Sequence, residues 1–266
     1  MSRSQVEEAA HAVRERLPEN PRVAIVLGSG LSDFSDNLSQ PVTIPYSEIP
    51  HYPELTVPGH VGKLVFGWVD SLPVLVARGR FHYYEEHPLE IVTLPVRLFA
   101  HLGVEILIIT NAAGCANPRW NEGDLMLITG HLDYTFIDSP ADPTLVSGEP
   151  FHSQELLALA REAAGEADIP VRQGIYAWCL GPTFETPAEI KEISALGGHA
   201  AGMSTVPEIR AAAEEGLQIL GISCLTNYAA GIRDTPLNHE EVLATGQRVK
   251  AAFARLVLGI LKKISS

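Results

Sequence analysis

Apolar and polar positions along the chain fall into two alternating patterns. Eight short runs are apolar, several of them on both faces: "VAIVL" (23–27), "KLVFGWV" (63–69), "PVLVARGRFHY" (73–83), "EILIITN" (105–111), "LMLITG" (125–130), "QGIYAWCL" (173–180), "AAGMS" (200–204) and "LQILGISCLTN" (217–227). Such runs predict strands sandwiched between helices. Between them the spacing turns helical, over "SQVEEAAHAVRERL" (4–17), 88–102, 153–167, 187–196, 206–216 and 239–263. In the first of these, Ser4 and Glu7 have the spacing of a capping box, and Val6, Ala9, Ala10, Val13 and Leu17 share one face. Strands alternating with helices predict an α/β fold, a mixed and largely parallel twisted sheet flanked by helices. No low-complexity linker or repeat interrupts residues 1–266, so one domain is expected. The longest stretch without a pattern, "DYTFIDSPADPTLVSGEPFHS" (133–153), reads as a long surface loop.

Charge narrows the range of partners. A formal charge of −13 argues against nucleic acid or an anionic membrane, which both need clustered Lys and Arg. It also means that any anion site must work against the field of the whole chain. No apolar run approaches the roughly 20 residues of a membrane span, and the first residues carry no apolar signal region. The three cysteines, Cys115, Cys179 and Cys224, have no metal-type spacing. A reduced, cytoplasmic setting is expected.

Polar groups sit at the ends of four apolar runs. The first run stops at Gly28-Ser29-Gly30. A dinucleotide fingerprint would need a third glycine where Asp33 stands, and no Gly-Lys-Ser/Thr follows for a P-loop. What is left is a tight turn, either a plain corner or a nest of backbone N–H groups for a small anion. Arg80 and His82 alternate along a strand and so share a side, with Tyr84 next if the strand continues; a solvated edge accounts for them equally well. Asn111 ends another run among small residues, and Met203-Ser204 ends a fourth, where Ser204 or Thr205 also suits the cap of a helix near Pro207. Ligands of open α/β sheets bind outside the carboxyl ends of strands. Gathered there, Ser29, Arg80, His82, Asn111 and Ser204 have the chemistry of a phosphate pocket. In "GPTFETPAEI", Thr186, Pro187 and Glu189 form a helix start, which leaves Glu185 beside Phe184 without a structural task. Asn227 ends a buried strand with a carboxamide that donates and accepts.

"LGSGL", "VPGHVGKLVFG", "GRFHYYE", "TNAAG", "GPTFETPAE", "GMSTVPE", "TNYAAG" and "NHEEVL" occur in this order from about residue 20 to 250. Together they resemble the trimeric, low-molecular-mass purine nucleoside phosphorylases. The resemblance implies a single nucleoside phosphorylase domain in which Ser29, His60, Arg80, His82, Asn111, Ala112 (through its backbone) and Ser204 hold inorganic phosphate. It implies that Tyr84, Met203 and His239 line the ribose, and that Phe184, Glu185 and Asn227 hold the purine. His239 also reads as a helix-start residue, beside the cap pair Asn238 and Glu241. The implied reaction is phosphorolysis of 6-oxopurine nucleosides, with Asn227, Glu185, His82 and His239 as catalytic residues. Phosphate is a co-substrate, no metal or organic cofactor is implied, and the assembly would be a homotrimer serving purine salvage.

One region departs from the resemblance. Many family members place an aromatic in the long loop, reaching the neighbouring subunit's base pocket, where this chain has Ser147. Phe136, Val146 and Phe151 are the substitutes at hand. A methylthioadenosine phosphorylase would share the phosphate and ribose motifs but usually carries Asp near Asn227 and no match to Glu185. A binding module without catalysis would hold the same ligands without releasing purine, and a nucleoside hydrolase would use water in place of phosphate.

Overall fold

Val23–Val26 (β1) is buried along its whole length, as its uninterrupted apolar character requires. The computed structural model describes residues 3–54, 61–137, 143–233 and 239–265. The remaining strands are β2 (Ser39–Pro45), β3 (Lys63–Val69), β4 (Leu72–Arg78), β5 (Ile106–Cys115), β6 (Leu125–Asp133), β7 (Thr144–Ser147), β8 (Val171–Trp178), β9 (Gly198–Gly202) and β10 (Gln218–Tyr228). The helices are α1 (Arg3–Arg14), α2 (Leu89–Val92), α3 (Leu94–His101), α4 (Gln154–Glu166), α5 (Pro187–Ala195), α6 (Val206–Glu214) and α7 (His239–Ser265). The architecture is α/β, with a mixed ten-stranded sheet flanked by helices.

Alternation along the strands divides the core. Val23 and Ile25 of β1 face one layer with Val74, Val76, Ile106 and Ile108, under α4 and α7. Ala24 and Val26 face the other, with Leu75, Ala77, Leu107 and Ile109, under α1, α3 and α6. Along α7, Phe253, Leu256, Val257, Ile260, Leu261 and Ile264 form one fully apolar stripe.

The sheet also closes on itself, which the strand pattern did not foretell. β5 pairs with β10, β10 with β6, β6 with β8, β8 with β9, and β9 returns to β5. From this ring β1, β4, β3 and β2 continue as an open sheet. β5 therefore changes partner along its length. Ile106–Ile109 pair with β1, whereas Gly114 and Cys115 pair with β9. Between these pairings, around residues 110–113, two strands diverge and a crevice opens. This is the switch-point geometry in which α/β sheets bind ligands.

Several local expectations need correction. Ser4 lies inside α1 and donates to Glu8 Oε1 at 3.4 Å, so it is not the cap. The 88–102 helix divides at Thr93 because Pro95 has no N–H to continue the ladder. The strand containing Arg80 ends at Arg78, whereas the strand expected to stop at Asn111 runs on to Cys115. β2 and β7 were not foreseen; their exposed, polar patterns hide the period of two.

Candidate active site

The chain after β1 enters the crevice through Gly28. A Cβ there would lie 2.6 Å from Asn111 Cα, so only glycine lets the turn rest on β5. Thr110 fastens the contact: its Oγ1 accepts from Gly28 N and donates to Val26 O, both at 3.0 Å. Gly30, at φ 78, completes the turn. Asp33, which rules out a dinucleotide fingerprint, points to Lys250 and Arg78 instead of the crevice.

Past β4 the backbone carries Arg80 into the same space, with the residue 2% exposed. Its Nη1 donates to Ser204 Oγ at 2.8 Å and Thr205 Oγ1 at 3.1 Å, and its Nη2 to Thr110 O at 2.7 Å. A guanidinium has five N–H donors. One Nη2 hydrogen is thus uncommitted among the described residues. Behind it, Glu208 Oε1 stands 3.7 Å from Nε and is itself 1% exposed. A buried cation needs such a partner, because desolvating an isolated charge is expensive.

His82 follows on the 3-10 turn that includes Tyr84. Glu85 Oε2 accepts from His82 N at 2.8 Å and stands 3.2 Å from Nδ1, holding the ring in place. Tyr84 stacks on it at 4.8 Å, and burial, with help from the Glu85 charge, pushes the Tyr84 hydroxyl up to about 12. Asn111 donates from Nδ2 to Thr205 Oγ1 at 2.9 Å, while its buried Oδ1 has no partner among the described residues.

At the other end, α5 is capped as its sequence dictates: Thr186 and Glu189 form the box, with Glu189 Oε2 accepting from Thr186 N at 2.7 Å. Glu185 is therefore free of capping, and its buried Oε1 has no hydrogen-bond partner among the described residues. Cys179 lies beside this carboxylate. Burial first, and then Glu185, push the thiol well above its ordinary range. Asn227 accepts from Thr226 Oγ1 and donates to Tyr228 O, each at 3.0 Å, which leaves one amide hydrogen for the cavity. Phe184 stands at the mouth, 43% exposed.

These groups line one cavity of about 300 Å³. Ser29, Arg80, His82, Tyr84, Asn111, Ala112, Phe184, Glu185, Met203, Ser204 and Asn227 all border it. His60 lies outside the described residues. His239 opens α7, with its side chain outside the described set, while Val242 one turn on reaches the cavity wall. Sequence reasoning missed Thr110, Thr205 and Glu208. A polar residue at the end of an apolar strand was a signal for Thr110, but Thr205 read only as a helix cap and Glu208 was not singled out. In the long loop, Phe151 packs edge-on against His131 and Val146 is half-buried, whereas Phe136 is 49% exposed.

An anion-sized donor cluster and a polar base-sized recess in one crevice are the build of a nucleoside-cleaving enzyme. A sequence model of the Phosphorylase superfamily matches residues 22–262, nearly the whole chain. Purine nucleoside phosphorylase 1 of Geobacillus stearothermophilus is 44% identical over 100% of this chain and 99% of its own. The bovine purine nucleoside phosphorylase is 38% identical over 92% of this chain and 90% of its own. Schistosoma mansoni purine nucleoside phosphorylase, solved in complex with inosine, superposes with a TM-score of 0.88 at 32% identity, covering 98% and 97% of the two chains. A Schistosoma mansoni purine nucleoside phosphorylase has also been solved in complex with adenosine, at a TM-score of 0.87 and 33% identity over 98% of both chains. The chain belongs to the purine nucleoside phosphorylase family, of the low-molecular-mass kind, and is an enzyme of that class. Among the described residues no helix is long and apolar enough to cross a membrane.

Proposed function

We propose that the enzyme cleaves 6-oxopurine nucleosides (inosine, guanosine and their deoxy forms) with inorganic phosphate, giving free purine and ribose or deoxyribose 1-phosphate. The observation that carries this reading is that Arg80 and Ser204 line one cavity together with Glu185 and Asn227.

Phosphate sits against Ser29, Arg80, His82, Asn111, the Ala112 backbone N–H and Ser204, with His60 closing over it. Tyr84, Met203 and His239 hold the ribose, His239 near the 5′-hydroxyl, and Phe184 lies along the purine. The C1′–N9 bond loosens towards an oxocarbenium-like ribosyl cation. A phosphate oxygen below C1′ first offsets that charge and then forms the new C1′–O bond. The electron pair of the broken bond goes to the purine, whose charge Asn227 stabilises by hydrogen bonding near N7 and O6. Glu185 accepts from N1–H. No side chain acts as nucleophile, so catalysis is positioning and preorganised electrostatics, with neither metal nor organic cofactor required.

Base choice follows from Glu185. An ionised carboxylate only accepts hydrogen bonds, and inosine and guanosine offer an N1–H, whereas neutral adenosine presents a lone pair there. The role is purine salvage in the cytoplasm, by a homotrimer in which Phe136 is the exposed aromatic of the long loop. Incubation of the enzyme with inosine over a range of phosphate concentrations tests the reading. Hypoxanthine release should saturate with phosphate and vanish without it; release independent of phosphate overturns the assignment in favour of a hydrolase.

A further inference from the structure

Thr205 is fully buried, β-branched and not glycine, yet its backbone stands at φ 81. L residues with a branched Cβ rarely adopt that conformation, and it persists only where the surroundings enforce it. A helix cap alone does not demand it, since ordinary caps such as Thr186 at φ −78 have extended backbones.

The hydroxyl shows what the conformation achieves. Thr205 Oγ1 receives one N–H from Arg80 at 3.1 Å and one from Asn111 at 2.9 Å. A hydroxyl oxygen has two lone pairs and one proton. With both lone pairs filled, the proton goes to Ser204 Oγ, 3.2 Å away. Ser204 Oγ already accepts from Arg80 Nη1 at 2.8 Å, so its own lone pairs are then filled as well. Ser204 then keeps one proton to donate, and its neighbours for it are Tyr176 Oη, which accepts from Ser204 N at 3.4 Å, and an anion in the cavity that this residue lines. Glu208 anchors the arrangement from behind: Oε2 accepts from Thr205 N at 3.1 Å, and Oε1 faces Arg80 Nε at 3.7 Å.

We infer that Thr205 is a positioning residue for the anion subsite: its strained backbone places a hydroxyl that orients Arg80 and Asn111 and turns Ser204 into a hydrogen-bond donor toward the bound phosphate. The inference rests on the reading of this cavity as the phosphate site. It also explains why a neutral hydroxyl, which could present either a lone pair or a proton, is usable at an anion: the network removes the wrong orientation before the anion arrives.

Thr205→Gly separates this role from a structural one. Glycine adopts φ 81 without strain and serves as a helix cap nearly as well as threonine, so the fold is kept, with a fall in melting temperature of a few degrees because the buried Arg80 and Asn111 donors lose an acceptor. Its phosphate KM should nevertheless rise about tenfold, as expected when a bond to a charged group is lost, with the inosine KM changed less than twofold. Stabilisation of the protein by phosphate alone, read as a shift in melting temperature, should weaken in parallel. Thr205→Ser, which keeps the hydroxyl, should restore the phosphate KM to within threefold. If Thr205→Gly does not fold, Thr205→Val, which keeps the branched shape at this position but lacks the hydroxyl, carries the same prediction. A phosphate KM within twofold of the original in a folded hydroxyl-free variant overturns the inference. So does a tenfold rise that Thr205→Ser fails to reverse. Absence of any phosphate dependence in the unmutated enzyme is a separate outcome: it defeats the reading of the cavity as a phosphate site, and the inference with it.

Discussion

Arg80→Ala should separate two tasks that one guanidinium performs. The first is anion binding. Arg80 is buried and commits three of its five N–H groups to Ser204, Thr205 and Thr110; Nε faces Glu208, which leaves one Nη2 hydrogen for the anion. Loss of a hydrogen bond to a charged partner costs roughly 1.5–3 kcal/mol, so the phosphate KM should rise about tenfold to a hundredfold. The second is charge compensation. Without Arg80, Glu208 is left at 1% exposure with no cation beside it among the described residues. Breaking a buried pair on one side costs roughly 3–5 kcal/mol. At about 2–4 °C per kcal/mol for a chain of this size, the melting temperature should fall by roughly 6–20 °C. The double variant Arg80→Ala/Glu208→Gln removes the stranded charge and should recover a large part of that loss, while the phosphate KM stays high. Thermal unfolding and initial rates of hypoxanthine release across a phosphate series measure the two effects on the same samples. An unchanged phosphate KM in Arg80→Ala would place the side chain outside the anion site. A double variant no more stable than Arg80→Ala would refute the pairing with Glu208.

Three further outcomes follow from other parts of the molecule. Gly28→Ala, whose Cβ would meet Asn111 Cα at 2.6 Å, should cost roughly 1–3 kcal/mol by overpacking and raise the phosphate KM; wild-type values in both unfolding and kinetics would contradict the close approach of turn and strand. His131 Nδ1 and His152 Nε2 stand 3.0 Å apart in the core. Burial above all holds them at about 3 and about 4, against an ordinary value near 6.5. The unfolded chain then binds more protons than the folded one between these values, so stability is complete above pH 6.5. It should fall as pH drops towards 4, by roughly 1.4 kcal/mol per pH unit for each proton taken up. Unfolding between pH 7.5 and 4.5 should show this slope, and His152→Gln should flatten it; an unaltered slope would mean that the buried pair is not its source. Inosine should exceed adenosine in kcat/KM by roughly 10⁴-fold, as sites that hydrogen-bond their substrate can achieve. Asn227→Asp, with an acceptor for the adenine amino group, should move the ratio partly towards adenosine; equal rates on both nucleosides in the unmutated enzyme would sink the base-site assignment.

Much of this architecture was legible in the sequence because burial on two faces leaves an unmistakable pattern. All eight apolar runs overlap strands, and Ser29, Arg80 and Ser204, just past the ends of β1, β4 and β9, border one cavity with Asn111, which lies inside β5. Alternation between Arg80 and His82 nevertheless presupposes a strand, and that strand stops at Arg78. They share a cavity because the following turn redirects the backbone, which alternation does not encode. Closure of the ring was hidden for another reason: it depends on β5 exchanging β1 for β9 along one edge, a matter of register between segments about 90 residues apart. β7 escaped notice as an edge strand with mostly exposed side chains. Thr205 is legible as a cap, but its positive φ arises from the groups packed around it and leaves no mark on the local sequence.

The central claim is that phosphate, and not water, takes the ribosyl group. Phosphorus NMR of the enzyme with inosine and limiting phosphate tests it most directly, with hypoxanthine quantified in the same tube. One ribose 1-phosphate should appear for each hypoxanthine until phosphate and products reach equilibrium, and no hypoxanthine should form in phosphate-free buffer. Hypoxanthine accompanied by free ribose, with the phosphate signal unchanged, would contradict it.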